Sequence, residues 1–292
     1  MKRFPSRSAF LHLRLPFSLF LLPIFVFALS QSPIINIVPT VAVFISWHFF
    51  IYPASNCYNS YFDKDEGSIA LLKHPPKVDQ SLFPLSLLVE LAGIIIAVFA
   101  GWQFTIAVIC YGIFSKLYSH PLTRLKKYPI ISFLVVFVFQ GAFVYWSSYS
   151  AISDSNIMID WNTKYFLAGL VCSCLIGASY PLTQVYQHTE DIKRGDQTLS
   201  ILLGIKGSFL FSAILFISGA IILFIYWQNL EKSINFLPFI VFSIPIGLVF
   251  TGWLIRVFKD NRQANFKNMS RMTFTSSLAM LSYFLWIFFS RA

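Results

Sequence analysis

Long apolar runs separated by short polar connections dominate the pattern along the chain. Most are close to the roughly 20 residues that a helix needs to cross a hydrocarbon layer about 30 Å thick. Runs such as 91–101 and 210–227 do not alternate as the strands of an outer-membrane barrel would. The pattern predicts an all-α integral membrane protein, a bundle of about nine transmembrane helices. The predicted spans are 11–30, 36–56, 82–100, 103–118, 130–149, 163–184, 207–227, 236–256 and 272–290.

The composition supports this interpretation. Of the 292 residues, 57% are hydrophobic and only 12% are charged, whereas a soluble domain carries about 25% charged residues. This excludes a disordered chain, which needs low hydrophobicity and high net charge, and argues against an ordinary cytosolic enzyme. Four cysteines lie in or beside the spans, without disulfide or zinc spacing, and are expected to be small packing residues. They are Cys57, Cys110, Cys172 and Cys174.

The net charge of +10 reflects topology. If successive connections alternate between two sides, all but three of the 22 basic residues fall on the side of the amino terminus; the exceptions are Lys164, Lys232 and Arg291. Lys and Arg mark cytoplasmic loops. We therefore expect a multi-pass inner or plasma membrane protein with a cytoplasmic amino terminus and an external carboxyl terminus. The basic excess attracts anionic lipid and does not indicate nucleic acid.

The first apolar run has an alternative interpretation. Lys2, Arg3 and Arg7 precede a run that ends at Phe27-Ala28-Leu29-Ser30, which is similar to a secretory signal peptide. Its removal would leave eight helices. A retained first helix is favoured because no clean small-x-small cleavage pattern is present.

Two polar tracts, 52–67 and 180–195, repeat one another 128 residues apart. Both contain Tyr-Pro, a hydroxyl residue, an amide, Tyr, a second amide, Asp and Gly at the same spacing. Four helices separate the copies, so both are expected to end on the cytoplasmic side. The simplest explanation is a duplicated four-helix unit, about 11–128 and 130–256, with a ninth helix at 272–290, in a single domain of 1–292. Membrane proteins often carry sites at such repeat interfaces.

The spacing in each tract predicts a polar stripe on a helix, at i, i+4, i+7 and i+11. Such stripes face a bundle interior or a wet cavity, so the two together predict a polar cavity open to the cytoplasm. The alternative is that the amides only hydrogen-bond one helix to another. The first stripe is Tyr52, Asn56, Asn59 and Asp63, and the second is Tyr180, Gln184, Gln187 and Asp191.

Half of the chain's 12 acidic residues lie in two short windows at the ends of these tracts. Brought together, they would repel one another unless a cation neutralised them. Carboxylates with amide oxygens suit Mg²⁺, which commonly also binds a substrate phosphate. The alternative is a solvated acidic loop. The residues are Asp63, Asp65, Glu66, Glu190, Asp191 and Asp196.

A basic segment, 116–127, is expected on the same side. The hydroxyl of Tyr118 and the cations Arg124 and Lys126 are candidates to bind phosphate oxygens, together with Lys193 and Arg194 beside the second acidic window. The alternative is that these cations only set the topology.

These motifs resemble those of the UbiA-type intramembrane prenyltransferases, in order, helix position and sidedness. Asn59-Ser60-Tyr61-Phe62-Asp63 resembles the family's first aspartate-rich motif, and 191–204 resembles its second. Tyr118-Ser119-His120-Pro121, followed by Arg124 and Lys126, resembles its central signature. The departures are Gln187 and Gly67, where the family usually has aspartates, and Ser60 in place of an acidic neighbour; Asp65, Glu66, Glu190 and Asp196 are candidates to supply the missing charge.

The resemblance implies a Mg²⁺-dependent transfer of a polyprenyl chain from its diphosphate to a small or lipid acceptor. An aromatic quinone precursor is the first choice of acceptor, and a glycerol-phosphate lipid or a tetrapyrrole are others. No protein partner is implied. The implied metal ligands are Asp63, Asp191, Glu190 and Asn59; the implied substrate ligands are Asn56, Asn59, Tyr118, Arg124, Lys126, Gln184, Gln187, Lys193 and Arg194. The implied catalytic residues are Asp63 and Asp191, with Asp65 or Glu66 acting on the acceptor.

Two alternatives remain at this point. A non-catalytic family member would bind a lipid or a prenyl diphosphate without turnover, in keeping with Gln187 and Gly67. A secondary transporter would use the same repeat interface and would release no diphosphate.

Overall fold

A computed structural model describes residues 5–64, 66–70, 72–155 and 162–291. Throughout this part of the chain the protein is all-α, with one isolated bridge between Ile69 and Leu72 and no β-strand. The helical segments are α1 (Arg7–Gln31), α2 (Ile37–Asp63), α3 (Leu82–Ala100), α4 (Trp102–Ser119), α5 (Pro129–Ser153), α6 (Thr163–Thr183), a short α7 (His188–Arg194), α8 (Leu199–Asn229), α9 (Ser233–Lys259) and α10 (Phe266–Ser290).

Among the described residues, 8 helices are long and apolar enough to cross a membrane. The predicted fourth span corresponds to α4, an 18-residue helix that carries Gln103 and Lys116 and is not among these eight. The all-α membrane fold is therefore confirmed. The expected count of about nine is approximate, because eight of the nine predicted spans are matched in the described part of the chain. The chain is a multi-pass membrane protein.

Aromatic side chains fill the centre of the bundle. Trp47, Tyr145, Trp227 and Tyr283 are almost completely buried, and the indole of Trp227 donates a hydrogen bond to the Tyr283 hydroxyl at 2.8 Å. The outer surface is also apolar: Ile37 and Leu248 have more than 70% of their area exposed. A helix that is apolar on all sides is typical of a membrane span, so these outer faces are suited to lipid.

The first polar tract forms a continuous helix, as predicted. The chain runs from a π-helical turn, Ser46–Ile51, into a helix from Tyr52 to Asp63. Proline lacks an N–H and collides with the preceding turn of a regular helix, and the wider π turn lets Pro53 follow without a break. Lys64 ends the helix in the left-handed conformation. Asp63 therefore lies at the last turn of α2.

The prediction of a helical stripe over the second tract is wrong. The regular helix of α6 ends at Ser179, Pro181–Thr183 form a 3₁₀ turn, and a separate helix begins at His188. No π turn precedes Pro181, and the hydroxyl of Thr183 donates to the Tyr180 carbonyl at 2.7 Å, which stabilises the turn. Gln184 and Asp191 consequently belong to different elements.

Candidate active site

Two adjoining cavities lie inside the bundle. One, of about 250 Å³, is polar and is lined by the ends of α2 and α4, by α7 and by the loop residues Ile69 and Ala70. The other, of about 380 Å³, is lined mainly by apolar residues of α1, α6, α8, α9 and α10. The two cavities share the lining residues Phe17, Ser55, Asn56, Tyr111, Val136, Gln140, Tyr180, Thr183 and Met269.

Most of the site residues expected from the sequence lie on the wall of the polar cavity. They are Asn56, Asn59, Asp63, Tyr118, Lys126, Gln184, Gln187, Asp191 and Arg194. Arg194 connects the two tracts directly: one guanidinium nitrogen lies 2.7 Å from Asp191 Oδ1, and another donates to the backbone carbonyl of Asp63 at 3.5 Å. The structure thus brings the ends of the two repeated tracts together.

Asp63 lies among cations. The ammonium of Lys126 is hydrogen-bonded to its Oδ1, and Arg124 Nη2 lies 3.8 Å away. The Asp63 side chain is 7% exposed. Charges this close in a partly buried position interact more strongly than at the surface, so these two cations compensate the charge of the Asp63 carboxylate.

Asp196 also lines the polar cavity and accepts two hydrogen bonds from Arg124, at 2.7 and 2.8 Å. Lys126 and Arg194 each lie 3.7 Å from it. Burial acts to raise the pKa of Asp196, but these cations outweigh the burial, and the pKa lies below its usual range. The same hydrogen bonds raise the pKa of Arg124. Arg124 is not on the cavity wall; it holds Asp196 from behind.

The environment of Asp191 differs. Burial raises its pKa to about 6, although Arg194 and Lys126 act to lower it. A carboxylate in this state gains from any further cation that reaches it. Asp191 is the acid of this site that most favours an incoming cation.

The cations that the acidic windows were expected to need are supplied by the protein itself. Asp63, Asp191 and Asp196 alternate with three cations from different parts of the chain. Arg124, Lys126 and Arg194 supply the neutralising charge. These cations, expected to serve only as phosphate ligands, also stabilise the protein's own carboxylates.

Within the described part of the chain, no three His, Cys, Asp or Glu side chains converge closely enough to hold a metal ion. Three carboxylates, of Asp63, Asp191 and Asp196, line the polar cavity. Both oxygens of Asp196 already accept hydrogen bonds from Arg124, which leaves Asp63 and Asp191 as the candidate carboxylate ligands. Oδ1 of Asn59 is buried and has no hydrogen-bond partner among the described residues. Mg²⁺ commonly takes one or two carboxylates and fills its other positions with water and phosphate oxygens, so this donor set fits Mg²⁺ together with a phosphate ligand.

The amides divide between two roles. Gln184 Oε1 accepts from the backbone N–H of Ser200 at 3.2 Å, and Gln187 Nε2 donates to the carbonyl of Ser68 at 3.4 Å. Asn56 Nδ2 donates to the carbonyl of Leu13 at 3.3 Å. These three hold separate elements together, as the alternative interpretation of the stripe proposed, while Asn59 keeps an acceptor for a ligand.

A chain of hydroxyls borders both cavities. Tyr118 and Tyr180 share a hydrogen bond of 2.9 Å between their hydroxyls, and Tyr180 donates to Ser132 Oγ at 3.1 Å. Tyr180 lines both cavities. The link places Tyr118 at the polar side of the boundary.

Three of the described residues proposed from the sequence, Glu66, Glu190 and Lys193, lie elsewhere. Glu66 and Lys193 are exposed and, like Glu190, do not contribute to either cavity wall. Glu190 packs against Gly67. Asp65 lies outside the described residues.

Sequence analysis missed Arg14 as a site residue, and it did not include Asp196 among the substrate or metal ligands. Arg14 lines the polar cavity, although its charge had been attributed to topology alone. A signal was present: Arg14 interrupts an apolar run two residues before Pro16, which is typical of a helix break.

An apolar chamber continuous with a compartment of alternating acids and cations suits a membrane enzyme whose substrate has a lipid tail and an anionic head. The comparison with known proteins agrees: a profile of the UbiA prenyltransferase family matches residues 20–288, and the chain belongs to that family.

Known relatives are distant in sequence. The chain is 24% identical over 209 residues to a probable homogentisate phytyltransferase 2, chloroplastic, of Oryza sativa subsp. japonica. The match covers 64% of this chain and 54% of that relative, so the chain spans about half of the length of the curated protein it matches.

Solved structures share the fold. A UbiA homologue from Archaeoglobus fulgidus bound to DMAPP and Mg²⁺ has a TM-score of 0.67 at 15% identity, covering 96% of this chain and 99% of that one. The same homologue bound to GPP and Mg²⁺ has a TM-score of 0.66 at 16% identity, covering 96% and 99%. A digeranylgeranylglyceryl phosphate synthase structure has a TM-score of 0.60 at 17% identity, covering 97% and 98%.

Proposed function

We propose that this protein is a Mg²⁺-dependent prenyltransferase that moves a polyprenyl chain from its diphosphate to an acceptor, with an aromatic quinone precursor as the first candidate. The observation that carries the proposal is the pair of adjoining cavities. A prenyl diphosphate is a charged head on an apolar tail, and the two compartments match its two halves.

The head would bind among the cations of the polar cavity. Lys126 and Arg194 lie on its wall, and each is bound to an aspartate that a metal would otherwise occupy. Asp63, Asp191 and the Oδ1 of Asn59 would hold Mg²⁺, which would neutralise the charge that develops on the departing diphosphate. Lys126 and Arg194 are then able to turn towards phosphate oxygens, with Arg124 held in place by Asp196.

The reaction breaks the bond between the first carbon of the prenyl chain and the bridging oxygen of the diphosphate. The electron pair of that bond leaves with the diphosphate, whose charge the cations stabilise. An electron pair of the acceptor forms the new bond to the prenyl carbon, and the acceptor then loses a proton, which the departed diphosphate takes up. The carbon centre is positive during the transfer, so water must be kept away from it. Tyr111 and Tyr180 line both cavities and Tyr52 lines the apolar one, and aromatic rings near the reacting carbon would stabilise this charge.

We place the polar cavity on the cytoplasmic side, with the amino terminus on the same side. The excess of Lys and Arg in the connections that meet there supports this orientation. A reporter fused after Lys126 is expected to be cytoplasmic.

The proposal is tested with the purified protein in detergent, geranyl or geranylgeranyl diphosphate, Mg²⁺ and homogentisate or another aromatic acceptor. We expect prenylated product and stoichiometric diphosphate, both abolished by EDTA and reduced at least about a hundredfold in Asp63→Asn and Asp191→Asn. Asp260→Asn is the matched control, because Asp260 pairs with the exposed Arg262 and lines neither cavity.

If the protein binds the prenyl diphosphate but releases no diphosphate with any of the acceptors tested, it would instead be a non-catalytic binding protein. Full activity in Asp63→Asn or Asp191→Asn would contradict the assignment of the metal site.

A further inference from the structure

We propose that Arg14 binds an anionic group of the acceptor, a carboxylate or a phosphate, at the boundary between the two cavities. The inference rests on the proposed prenyl transfer and names a chemical class for its second substrate.

The break in α1 places Arg14 in the cavity. Arg14 has φ of +48° and ψ of 44°, a left-handed conformation that separates Arg7–His12 from the helix that begins at Leu15. A non-glycine residue is held in this conformation only when its surroundings fix it. Pro16, in the first turn of the next helix, has no N–H to continue the preceding helix and helps to fix the break.

Reciprocal hydrogen bonds hold the side chain in this position. Arg14 Nη2 donates to the backbone carbonyl of Asn56 at 3.1 Å, and the side-chain amide of Asn56 donates to the carbonyl of Leu13 at 3.3 Å. The break in α1 is thereby bound to the middle of the polar face of α2. Arg14 lines the polar cavity.

Arg14 donates to a part of α2 that precedes the acid and cation cluster. The acceptor of this hydrogen bond belongs to Asn56, whereas the cluster surrounds Asp63, seven residues further on. At 1.5 Å per residue these positions are about 10 Å apart along the helix. Lys126 and Arg194 already provide cations at the Asp63 end, so the charge of Arg14 serves a different place in the cavity.

The part of the polar cavity next to Asn56 is where the acceptor is expected to bind. The reacting carbon joins a polar head to an apolar tail, so it is expected at the boundary of the two cavities. Asn56 and Phe17 line both of them, and Arg14 touches Asn56 and lies three residues before Phe17. A guanidinium presents parallel N–H donors that match the two oxygens of a carboxylate or phosphate.

The test compares acceptors that differ only in charge. One pair is homogentisate and its methyl ester; the other is a glycerol-phosphate lipid and the matching neutral glyceride. We expect the wild type to favour the anionic member of the pair it uses. In Arg14→Gln the KM for that anionic acceptor is expected to rise about tenfold to a hundredfold, while the KM values for the neutral member and for the prenyl diphosphate change less than about twofold. Arg14→Lys should retain part of the preference, because it keeps the charge and loses the paired donors.

Arg7→Gln is the control, since Arg7 is an exposed cation of the same amino-terminal segment. Equal losses for the charged acceptor, the neutral acceptor and the donor in Arg14→Gln would show a purely structural role and would overturn the inference, as would an unchanged preference for the anion. If only the phosphate pair shows a preference for the anionic member, the acceptor is a phospholipid. If only the aromatic pair shows it, the acceptor is an aromatic acid. Both results support the inference. No transfer by the wild type to any acceptor would overturn the proposed function itself, and this inference with it.

Discussion

The carboxylate of Glu190 occupies the space beside Gly67 that a side chain at position 67 would need. Its carboxyl carbon lies 3.0 Å from the position of a Cβ built on Gly67, and one of its oxygens is closer still. Position 67 is one of the three places, with Gln187 and Ser60, where the resemblance leads us to expect an acidic residue and the chain has none. An acid from α7 therefore lies where the local side chain is missing.

A double-mutant cycle tests this relationship. Gly67→Ala is expected to push the Glu190 side chain aside and to lower the free energy of unfolding by about 1 kcal/mol, since overpacking against a flexible side chain is at the low end of such costs. In a Glu190→Ala background the cost should vanish, because the space is then empty. Thermal unfolding of the four proteins in one detergent measures the coupling. An identical cost in both backgrounds would show that the two residues do not interact.

The Arg124–Asp196 pair is expected to be important for stability, and the Asp260–Arg262 pair is not. The Asp196 side chain is 1% exposed, whereas that of Arg262 is 91% exposed. Removing one charge of a buried pair leaves the other without compensation, at a cost of about 3 kcal/mol, whereas exposed pairs contribute little. We expect Asp196→Asn to lower the melting temperature clearly and Asp260→Asn to leave it unchanged. Equal effects of the two substitutions would show that burial of the cluster is not what stabilises it.

The raised pKa of Asp191 predicts a pH dependence of ligand binding. Burial raises the pKa from 3.8 to about 6, so the folded protein holds a proton on Asp191 that the unfolded chain releases at lower pH. The contribution of Asp191 to the free energy of unfolding is present in full below about pH 4. It is lost as the pH rises through 6, because the buried carboxylate then carries a charge that no metal ion balances. A bound cation removes that cost.

We therefore expect Mg²⁺ with geranyl diphosphate to raise the melting temperature strongly at pH 7.5 and weakly at pH 5. The same series with Asp191→Asn corrects for titration of the diphosphate itself. If wild type and Asp191→Asn show parallel pH profiles, Asp191 is not the group responsible.

The apolar cavity should set the length of the prenyl chain. Ala213 lines that cavity, and its neighbour Ile214 is exposed on the outside of α8 and lines neither cavity. Ala213→Phe is expected to reduce kcat/KM for geranylgeranyl diphosphate about tenfold and for geranyl diphosphate less than about twofold, because added volume excludes the longer tail first. Ile214→Phe should change neither value. A uniform loss with both donors in Ala213→Phe would show that the tail lies elsewhere.

The periodic spacing of apolar and polar residues predicted the helices correctly where a helix runs without a break. The apolar runs gave the helices, and the spacing of Asn56, Asn59 and Asp63 predicted a single polar face on α2, which the structure has. The second tract carries the same spacing but breaks after Ser179, because the effect of its proline depends on the turn that precedes it. The duplication of a four-helix unit remains a prediction.

The partners of the charged residues were beyond sequence reasoning. Asp63 meets Lys126, and Asp196 meets Arg124, across more than 60 residues of chain, so these pairs follow from how the helices pack. Arg14 was overlooked for a related reason: its charge agreed with the topology, and only the packed structure shows that it contributes to the cavity wall.

The most direct test of the central claim is an experimental structure of the protein with Mg²⁺ and geranyl S-thiolodiphosphate, a donor analogue that reacts slowly. The account predicts the diphosphate head between the ends of α2 and α7, with Asp63 and Asp191 at the metal and Lys126 or Arg194 at phosphate oxygens, and the tail in the apolar cavity. A head bound at the opposite end of the bundle, or a tail lying along the outer surface, would contradict it.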